Sequence, residues 1–451
     1  MSQKDLCSKA RENGMKVLVY GSGAREHTLA WKIKQSPLLE KLYLCKANDG
    51  FAHLGENLEA ASFAELAKLA AEKGIDLLVV GPEDPLVSGI VDEFKKVGIP
   101  VIGADKKWAM LEGSKSFAKD FMQRNDIPTG KYEIITDKEA TKENIYNALE
   151  KFNIPVVLKA DGLAAGKGVY IANTRLSAEI TLNEFLSGKF NEASRTVLVE
   201  EFLEGPELSL ISLWDGKTLL PLIPARDYKK LEEGNKGLNT GGMGAYCPVS
   251  LTADEYMQLE DYVKLLESAL RKENADFTGI IYSGLIMTAD GIKVLEYNMR
   301  FGDPETQPLM MHLDCDLLEL FKMCIDRQLD KAELKWKQGQ SFCVVVAAEG
   351  YPENPVKGGE IKNIDDIIKH NDVEVFFAGV KKQDGKLVAN GGRVLSVCKT
   401  GATAQKYIYD AINELDFGDK RYRRDIGEVD LSKELSREGC GHEGCCNNCG
   451  L

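Results

Sequence analysis

An apolar run, a glycine turn and an amphipathic helical stretch follow one another in "MKVLVYGSGAREHTLAWKI" from Met15. Two more short apolar runs, "IDLLVVG" and "IPVIGA", are separated by the helix-periodic "SGIVDEFKKVG". Strands that alternate with helices pair in parallel, because each crossover helix returns the chain to the same end of the sheet. Residues 15–112 are therefore expected to form a Rossmann-like parallel sheet covered by helices. After that the pattern changes. "LEGSKSFAKDFMQRNDIPTG" reads as a helix ending before Pro128, and "YEIITD", "KEATKENIYNALEKF" and "IPVVLKADG" as a smaller α/β unit. From "TVLVEEFLEG" to "IKVLEYNMRFGDPE" strand pairs are joined by long loops, the pattern of an antiparallel sheet that carries a site. "SFCVVVAAEGYP", "VEVFFAG", "KLVANGGRVLSVCKTG" and the helical "ATAQKYIYDAINEL" make a last α+β piece.

At 451 residues the chain exceeds one average domain. Its 44% hydrophobic and 28% charged content is that of an ordinary soluble globular protein. No apolar run is long enough to span a membrane. The opening "MSQKDLCSKARENG" lacks the apolar core of a secretory signal, so residues 1–14 are expected to be a disordered extension and the location cytoplasmic. A net charge of −13 argues against nucleic-acid binding, yet leaves room for an anionic small substrate held by local cations. Seven of the eleven cysteines are scattered, as in a reduced compartment. The other four crowd "REGCGHEGCCNNCGL" with His442. Cys440, Cys445, Cys446 and Cys449 have the ligand chemistry for zinc but lack a second cluster across a folded element, so residues 431–451 read as a Cys-rich tail.

The first glycine turn, Gly21-Ser22-Gly23-Ala24-Arg25-Glu26, has two glycines of the dinucleotide fingerprint and Glu26 in place of the third. Backbone amides at the start of the helix, with Arg25 beside them, still suit a phosphate. A tight turn with no ligand is the plain alternative. The second glycine-rich stretch, "KADGLAAGKG", is flanked by extended "VVL" and "VYIAN". Strand–loop–strand is wrong for a P-loop, whose glycines must lead into a helix. Such a hairpin can instead lie over a triphosphate, with Lys159, Gly162, Gly166, Lys167 and Gly168 offering lysines and backbone N–H groups. A surface hairpin with a flexible tip reads equally well from this motif alone.

Two further segments favour the nucleotide. "VEEFLEGPE" ends a strand with Glu200, Glu201, Phe202 and Leu203, followed by Glu207. Exposed backbone there can read an adenine edge, with acidic groups for the amino group and ribose hydroxyls. In "VLEYNMRFGDPETQP", Glu296 and Asn298 fall on one face of a strand, since side chains repeat with period two. Oxygen ligands so placed suit Mg²⁺ or Mn²⁺, hard cations that bridge nucleotide phosphates. Arg300 shares that face and is suited to pairing with a carboxylate or phosphate.

Lys115 in "EGSK", the "KADGLAAGKG" hairpin, "VEEFLEG", "NTGGMGAY" and "EYNMRFGDPETQ" come in this order. With "GSGAREH", "VGPEDPL", "NGGRVL" and the late "RRDIG" they closely resemble the phosphoribosylamine–glycine ligase family, ATP-grasp enzymes of purine biosynthesis, over residues 15–428. The resemblance implies α/β and α+β domains: the Rossmann-like substrate domain, an ATP-grasp domain over residues 113–335 with a lid at about 128–202, and a small C-terminal α+β domain over 336–430. It implies ATP and Mg²⁺ as cofactors, with glycine and 5-phosphoribosylamine as substrates, in a chain that works as a monomer or weak dimer. Lys115 and Lys159 would neutralise the triphosphate, while Arg300 and Asp303 orient glycine and its mixed anhydride with phosphate. Gly21, Gly23, Ala24, Arg25, Glu83 and Arg393 would hold the ribosyl substrate, with Asn239, Thr240 and Gly242 of "NTGGMG" as further substrate contacts.

The sequence departs from the family pattern in three loops. It has "CKANDG" from Cys45 for "PGNAG", "DYKK" from Asp227 for "DHKR", and Leu238 where a proline is usual. No role is carried onto Asn48 or Tyr228, and His27 is read as packed rather than as a proton carrier. Three other readings stand beside this one. A carboxylase or transferase of the same superfamily would lack "NTGGMG" joined to "RFGDPETQP". An NAD-dependent oxidoreductase rests on Gly21 and Gly23 alone, and a non-catalytic nucleotide sensor does not need a candidate at every phosphate and metal position.

Overall fold

The computed structural model describes residues 14–163 and 168–428. The N-terminal extension, the hairpin tip with Gly166 and Lys167, and the Cys-rich tail with its zinc chemistry lie outside the described residues.

Strands β1 (Met15–Tyr20), β2 (Leu39–Cys45), β3 (Glu56–Leu58), β4 (Leu77–Val80) and β5 (Val101–Ile102) form a parallel sheet in the order β3-β2-β1-β4-β5. Val17, Leu18 and Val19 are all at most 1% exposed, because helices cover both faces and apolar side chains are needed on each. The chain winds outward through β2 and β3, then restarts on the other side of β1 with β4. Between β1 and β4 the winding reverses, and the loops leaving the carboxyl ends of those two strands diverge and leave a crevice. Gly21 follows β1 and Glu83 follows β4, so this reversal is what puts them at one edge.

Strands β6 (Tyr132–Thr136), β7 (Val156–Ala160), β8 (Val169–Ala172) and β9 (Thr196–Glu201) make an antiparallel sheet, β6-β9-β7-β8, with its own apolar core against helices Lys142–Glu150 and Arg175–Leu186. The register Lys159↔Val169 shows the two flanks of the glycine-rich stretch as the paired strands that their sequence predicts. The helix expected after residue 110 is broken in two, Met110–Gly113 and Lys115–Arg124. Ser114 between them is extended, and its hydroxyl accepts a hydrogen bond from the Phe117 amide as an N-cap. The backbone N–H of Ser116 donates to Asp161 Oδ1 at 2.6 Å, which ties the start of the second helix to the base of the hairpin.

Eight strands follow: β10 (Glu207–Trp214), β11 (Leu219–Pro221), β12 (Arg226–Asp227), β13 (Lys230–Glu232), β14 (Lys236–Asn239), β15 (Gly244–Cys247), β16 (Gly279–Thr288) and β17 (Gly291–Asn298). Four of them build the antiparallel sheet β11-β10-β16-β17, and β13 and β14 form a separate hairpin. The last strands are β18 (Ser341–Ala347), β19 (Glu374–Phe377), β20 (Val380–Gln383), β21 (Lys386–Ala389) and β22 (Arg393–Thr400). Three of these join a sheet ordered β12-β15-β18-β22-β19. Strand pairing therefore crosses the boundary expected at residue 336: β15, buried along its length, pairs with β18 from Gly244↔Val344 to Cys247↔Ser341. The helix Thr306–His312, all seven residues buried, fills the space beneath.

Candidate active site

The sheets converge on one cleft of about 1190 Å³. Its floor is β17, and a bulge decides what β17 presents. Val294 pairs with Leu285, but Glu296 pairs with Gly284, so Leu295 is an extra residue without a partner. Its carbonyl accepts a hydrogen bond from Lys159 Nζ at 3.1 Å. The bulge ends before Glu296, so Glu296 and Asn298 keep one face, and both line the cleft. Among the described residues the Glu296 carboxylate has no hydrogen bond or ion pair. Burial pushes its pKa up, but Lys229, Lys159, Lys115 and Arg300 outweigh burial and the net shift is downward. An ionised carboxylate without a protein partner beside the Asn298 amide oxygen is a hard-oxygen donor pair that fits Mg²⁺. No cluster of three or more His, Cys, Asp or Glu is placed to hold a metal among the described residues, so such an ion needs ligands from water or a bound phosphate.

One wall carries lysines. Lys115 opens its helix and Lys119 follows one turn later on the same face. Lys119 and Lys159 each place Nζ 3.0 Å from Glu200 Oε2. Burial pulls Lys119 down to about 8 against the pull of Glu200, and lowers Lys115 against Glu296. Glu200 thus anchors two lysines, leaving Oε1, which is buried and has no partner among the described residues, to face a ligand. Glu201, Phe202 and Leu203 line the cleft beyond it, Glu201 accepting from the Lys131 amide at 2.9 Å. Glu207 is paired with Lys229 at 2.9 Å. Gly168 reaches the cleft but Gly162 does not. Gly162 packs against Ala193, where an added Cβ would lie 2.9 Å from the Ala193 backbone.

Arginines form another part of the lining. Arg300 Nη2 lies 3.2 Å from Asn298 Oδ1 and 3.0 Å from Glu112 Oε1, and its Nε lies 3.3 Å from Glu83 Oε2. Arg393 Nη2 lies 3.3 Å from Asp303 Oδ2, and its Nη1 donates to the carbonyls of Gly241 and Asp303, both at 2.7 Å. Burial pushes the Asp303 carboxyl up, but Arg393 and Arg25 pull it further down. Asn239 and Thr240 line the cleft, whereas Gly242 sits behind it with φ +111° and Pro304 where a side chain would go.

The first glycine turn supports this part of the lining more than it forms it. Gly21, Gly23 and Ala24 do not reach the cleft, and Arg25 does. The Gly21 amide donates to Cys45, and the Gly23 amide to Glu26 Oε2. Glu26, only 1% exposed, fills the space beside Gly81, where a Cβ would fall 2.0 Å from its Oε1. The turn therefore offers a phosphate the first amides of the helix, not those of its glycines. Arg25 pairs with Glu26 and donates Nη1 to the Phe301 carbonyl at 3.0 Å. His27 is packed, as its context suggests. Its Nδ1 accepts from the Phe377 amide at 2.8 Å, and burial first, then His53, lowers it to about 3.

Several lining residues are ones the motifs did not single out. Glu112 and Lys119 are two, although the i, i+4 spacing of Lys115 and Lys119 already puts them on one face. Asp227 and Lys229 belong to the departing "DYKK" loop. Burial lowers Lys229, but Asp227 and Glu207 outweigh it and hold it well above the usual range. Burial, with Glu305, Glu207 and Glu296, pushes Asp227 up against Lys229. Asn48, in the other departing loop, is a brace. Its amide donates to the carbonyls of Ser22, Phe377 and Ala378.

Three family profiles match the chain. "Phosphoribosylglycinamide synthetase, N domain" covers residues 15–112, the ATP-grasp (A) domain of that synthetase covers 113–306, and its C domain 341–429. The phosphoribosylamine–glycine ligase of Brucella melitensis biotype 1 is 46% identical over 428 residues, 93% of this chain and 99% of that protein. The one from Clostridium acetobutylicum is 42% identical over 422 residues, 92% of this chain and all of that protein. A crystal structure of phosphoribosylamine–glycine ligase from Thermotoga maritima superposes with a TM-score of 0.78 at 32% identity, over 91% of this chain and 100% of that one. The biotin carboxylase domain of Hydrogenobacter thermophilus 2-oxoglutarate carboxylase, solved with MgADP, shares the fold at a TM-score of 0.69 and 16% identity, over 90% of this chain and 91% of that one. Matched over all three domains, and over nearly its whole length by these relatives, the chain belongs to the phosphoribosylglycinamide synthetase family.

Proposed function

We propose that the chain joins glycine to 5-phosphoribosylamine, driven by ATP, to give glycinamide ribonucleotide, ADP and phosphate. The observation that carries this reading is the 3.2 Å contact between Asn298 Oδ1 and Arg300 Nη2. It places an oxygen pair suited to a phosphate-bound cation directly beside a guanidinium suited to a carboxylate. A γ-phosphate and the glycine carboxylate would meet there.

The lysines supply charge neutralisation and the arginines supply direction, which are the main demands of phosphoryl transfer. Lys115 and Lys159 take the triphosphate, with the hairpin residues Gly166, Lys167 and Gly168 as further contacts expected from the sequence. Glu201, Phe202 and Leu203 frame the adenine, Glu200 Oε1 accepts from a donor on the nucleotide, and Glu207 meets the ribose. Glu296 and Asn298 would hold Mg²⁺ or Mn²⁺, which would draw charge from the phosphate oxygens. Arg300 and Asp303 orient glycine so that one carboxylate oxygen attacks the γ-phosphorus. The bond from that phosphorus to the β-phosphate oxygen breaks and ADP leaves. The amine of phosphoribosylamine then attacks the acyl carbon, the acyl C–O bond breaks, and phosphate departs with the electron pair, the amine proton passing to phosphate or solvent. Arg25, Glu83 and Arg393, with Asn239 and Thr240 on the rim, hold the ribosyl substrate, and Gly21, Gly23, Ala24 and Gly242 shape the loops behind them. Closure of residues 128–202 as a lid keeps water from the acyl phosphate. Residues 15–112 then serve as the substrate domain, 113–335 as the ATP-grasp domain and 336–430 as the small C-terminal domain.

The test is ADP release by purified protein with ATP, Mg²⁺, glycine and freshly made phosphoribosylamine. ADP is expected to appear quickly only when both substrates are present, and Glu296→Gln to slow it by about a hundredfold or more. A rate with both substrates no greater than with neither contradicts the reading.

A further inference from the structure

Arg300 meets two carboxylates of the chain, and they hold it differently. Glu112 is a fixed partner. Its Oε1 lies 3.0 Å from Nη2, its Oε2 accepts from the Met299 amide at 2.7 Å, and its side chain is 6% exposed. One carboxylate thereby grips the guanidinium and the backbone amide just before Arg300. Glu83 is a looser partner. Its Oε2 lies 3.3 Å from Arg300 Nε, but its side chain is 31% exposed. At that distance Glu83 is not aligned with the donor, and Arg300 Nε is buried without a geometric hydrogen-bond partner among the described residues. An unmet buried donor is costly, so an acceptor that aligns with it gains what Glu83 does not. Glu83 also stands at the winding reversal of the N-terminal sheet, where Arg25 is a second cation acting on it.

We infer that Glu83 is a resident stand-in for a substrate carboxylate, displaced from Arg300 Nε by glycine and drawn towards Arg25 to complete the ribosyl site. This rests on the reading that Arg300 receives the glycine carboxylate. No bond is made or broken in the exchange. One carboxylate replaces another on a guanidinium that Glu112 keeps in place. The consequence is coupling between the two substrate sites. A ribosyl ligand that engages Glu83 uncovers Arg300, and glycine that takes Arg300 releases Glu83, so each must raise the other's affinity by the same factor.

The experiment is calorimetric titration of glycine into the protein with a non-hydrolysable ATP analogue and Mg²⁺, with and without saturating ribose 5-phosphate. In the wild type, ribose 5-phosphate is expected to tighten glycine by about fivefold or more. In Glu83→Gln, glycine is expected to bind more tightly from the start and to be indifferent to ribose 5-phosphate. Should that variant melt early, Glu83→Asp, whose shorter arm falls short of Nε, is expected to show the same two changes. A wild type with no coupling, or a Glu83 variant that keeps it, overturns the inference. Arg300→Lys separates the two layers: glycine affinity unchanged in that variant removes the assignment of the carboxylate to Arg300 itself.

Discussion

At the scale of single residues, the site is a balance between burial and charge. Glu112 shows it most sharply. Burial raises its carboxyl to about 7, with Arg300 opposing the rise and Glu83 adding to it. A carboxyl whose folded pKa lies above its ordinary value binds its proton more tightly folded than unfolded. Stability is therefore present at low pH and lost as pH rises through the window from about 4.5 to 7. Glu112→Gln, which keeps an acceptor for the Met299 amide, is expected to flatten that fall relative to the wild type. Denaturant unfolding from pH 5 to pH 8 measures it, and identical slopes for the two proteins contradict the shift. Sequence motifs could not reach Glu112, since its partners are set by tertiary packing: Met299 is 187 positions away. Glu296 and Asn298 were legible because their relation is local, a strand period of two that the Leu295 bulge leaves intact. Glu200 is expected from its motif as a nucleotide contact and does line the cleft, but its two lysines depend on the pairing of β7 with β9 and on a separate helix.

At the scale of elements, most types were legible and the breaks were not. Apolar runs with helical crossovers gave the parallel sheet, and extended flanks gave the β7–β8 hairpin. The interruption at Ser114 was missed because "LEGSKSFAKDF" keeps helical periodicity across it. Its serine is the signal that was available, as a preferred N-cap residue. The break lets Asp161 meet the new helix start, so Lys115 is set relative to the hairpin. Ser114→Ala is expected to lower stability by about 1 kcal/mol and to raise the ATP KM while leaving the glycine KM in place. Denaturation curves and the two KM values test this. Unchanged stability with unchanged ATP KM contradicts the capping role.

At the scale of the whole molecule, the cleft exists because units of different origin share walls. The N-terminal sheet brings Arg25 and Glu83 to its winding reversal, β17 brings Glu296, Asn298 and Arg300, and β22 brings Arg393. The expected boundary at residue 336 could not show that β12 and β15 enter the last sheet, because short strands such as "RD" and "GAYC" carry no register in sequence. That shared sheet keeps the "NTGGMG" loop against Arg393, and so joins the proposed glycine and ribosyl sites. The central claim is that these walls bring a carboxylate onto a γ-phosphate before the amine arrives. It is tested most directly with glycine labelled by ¹⁸O at both carboxylate oxygens, followed by mass spectrometry of the released phosphate. Attack by the carboxylate predicts one ¹⁸O in each phosphate, with the other kept in the amide product. Phosphate released without label, while glycinamide ribonucleotide still forms, contradicts the account.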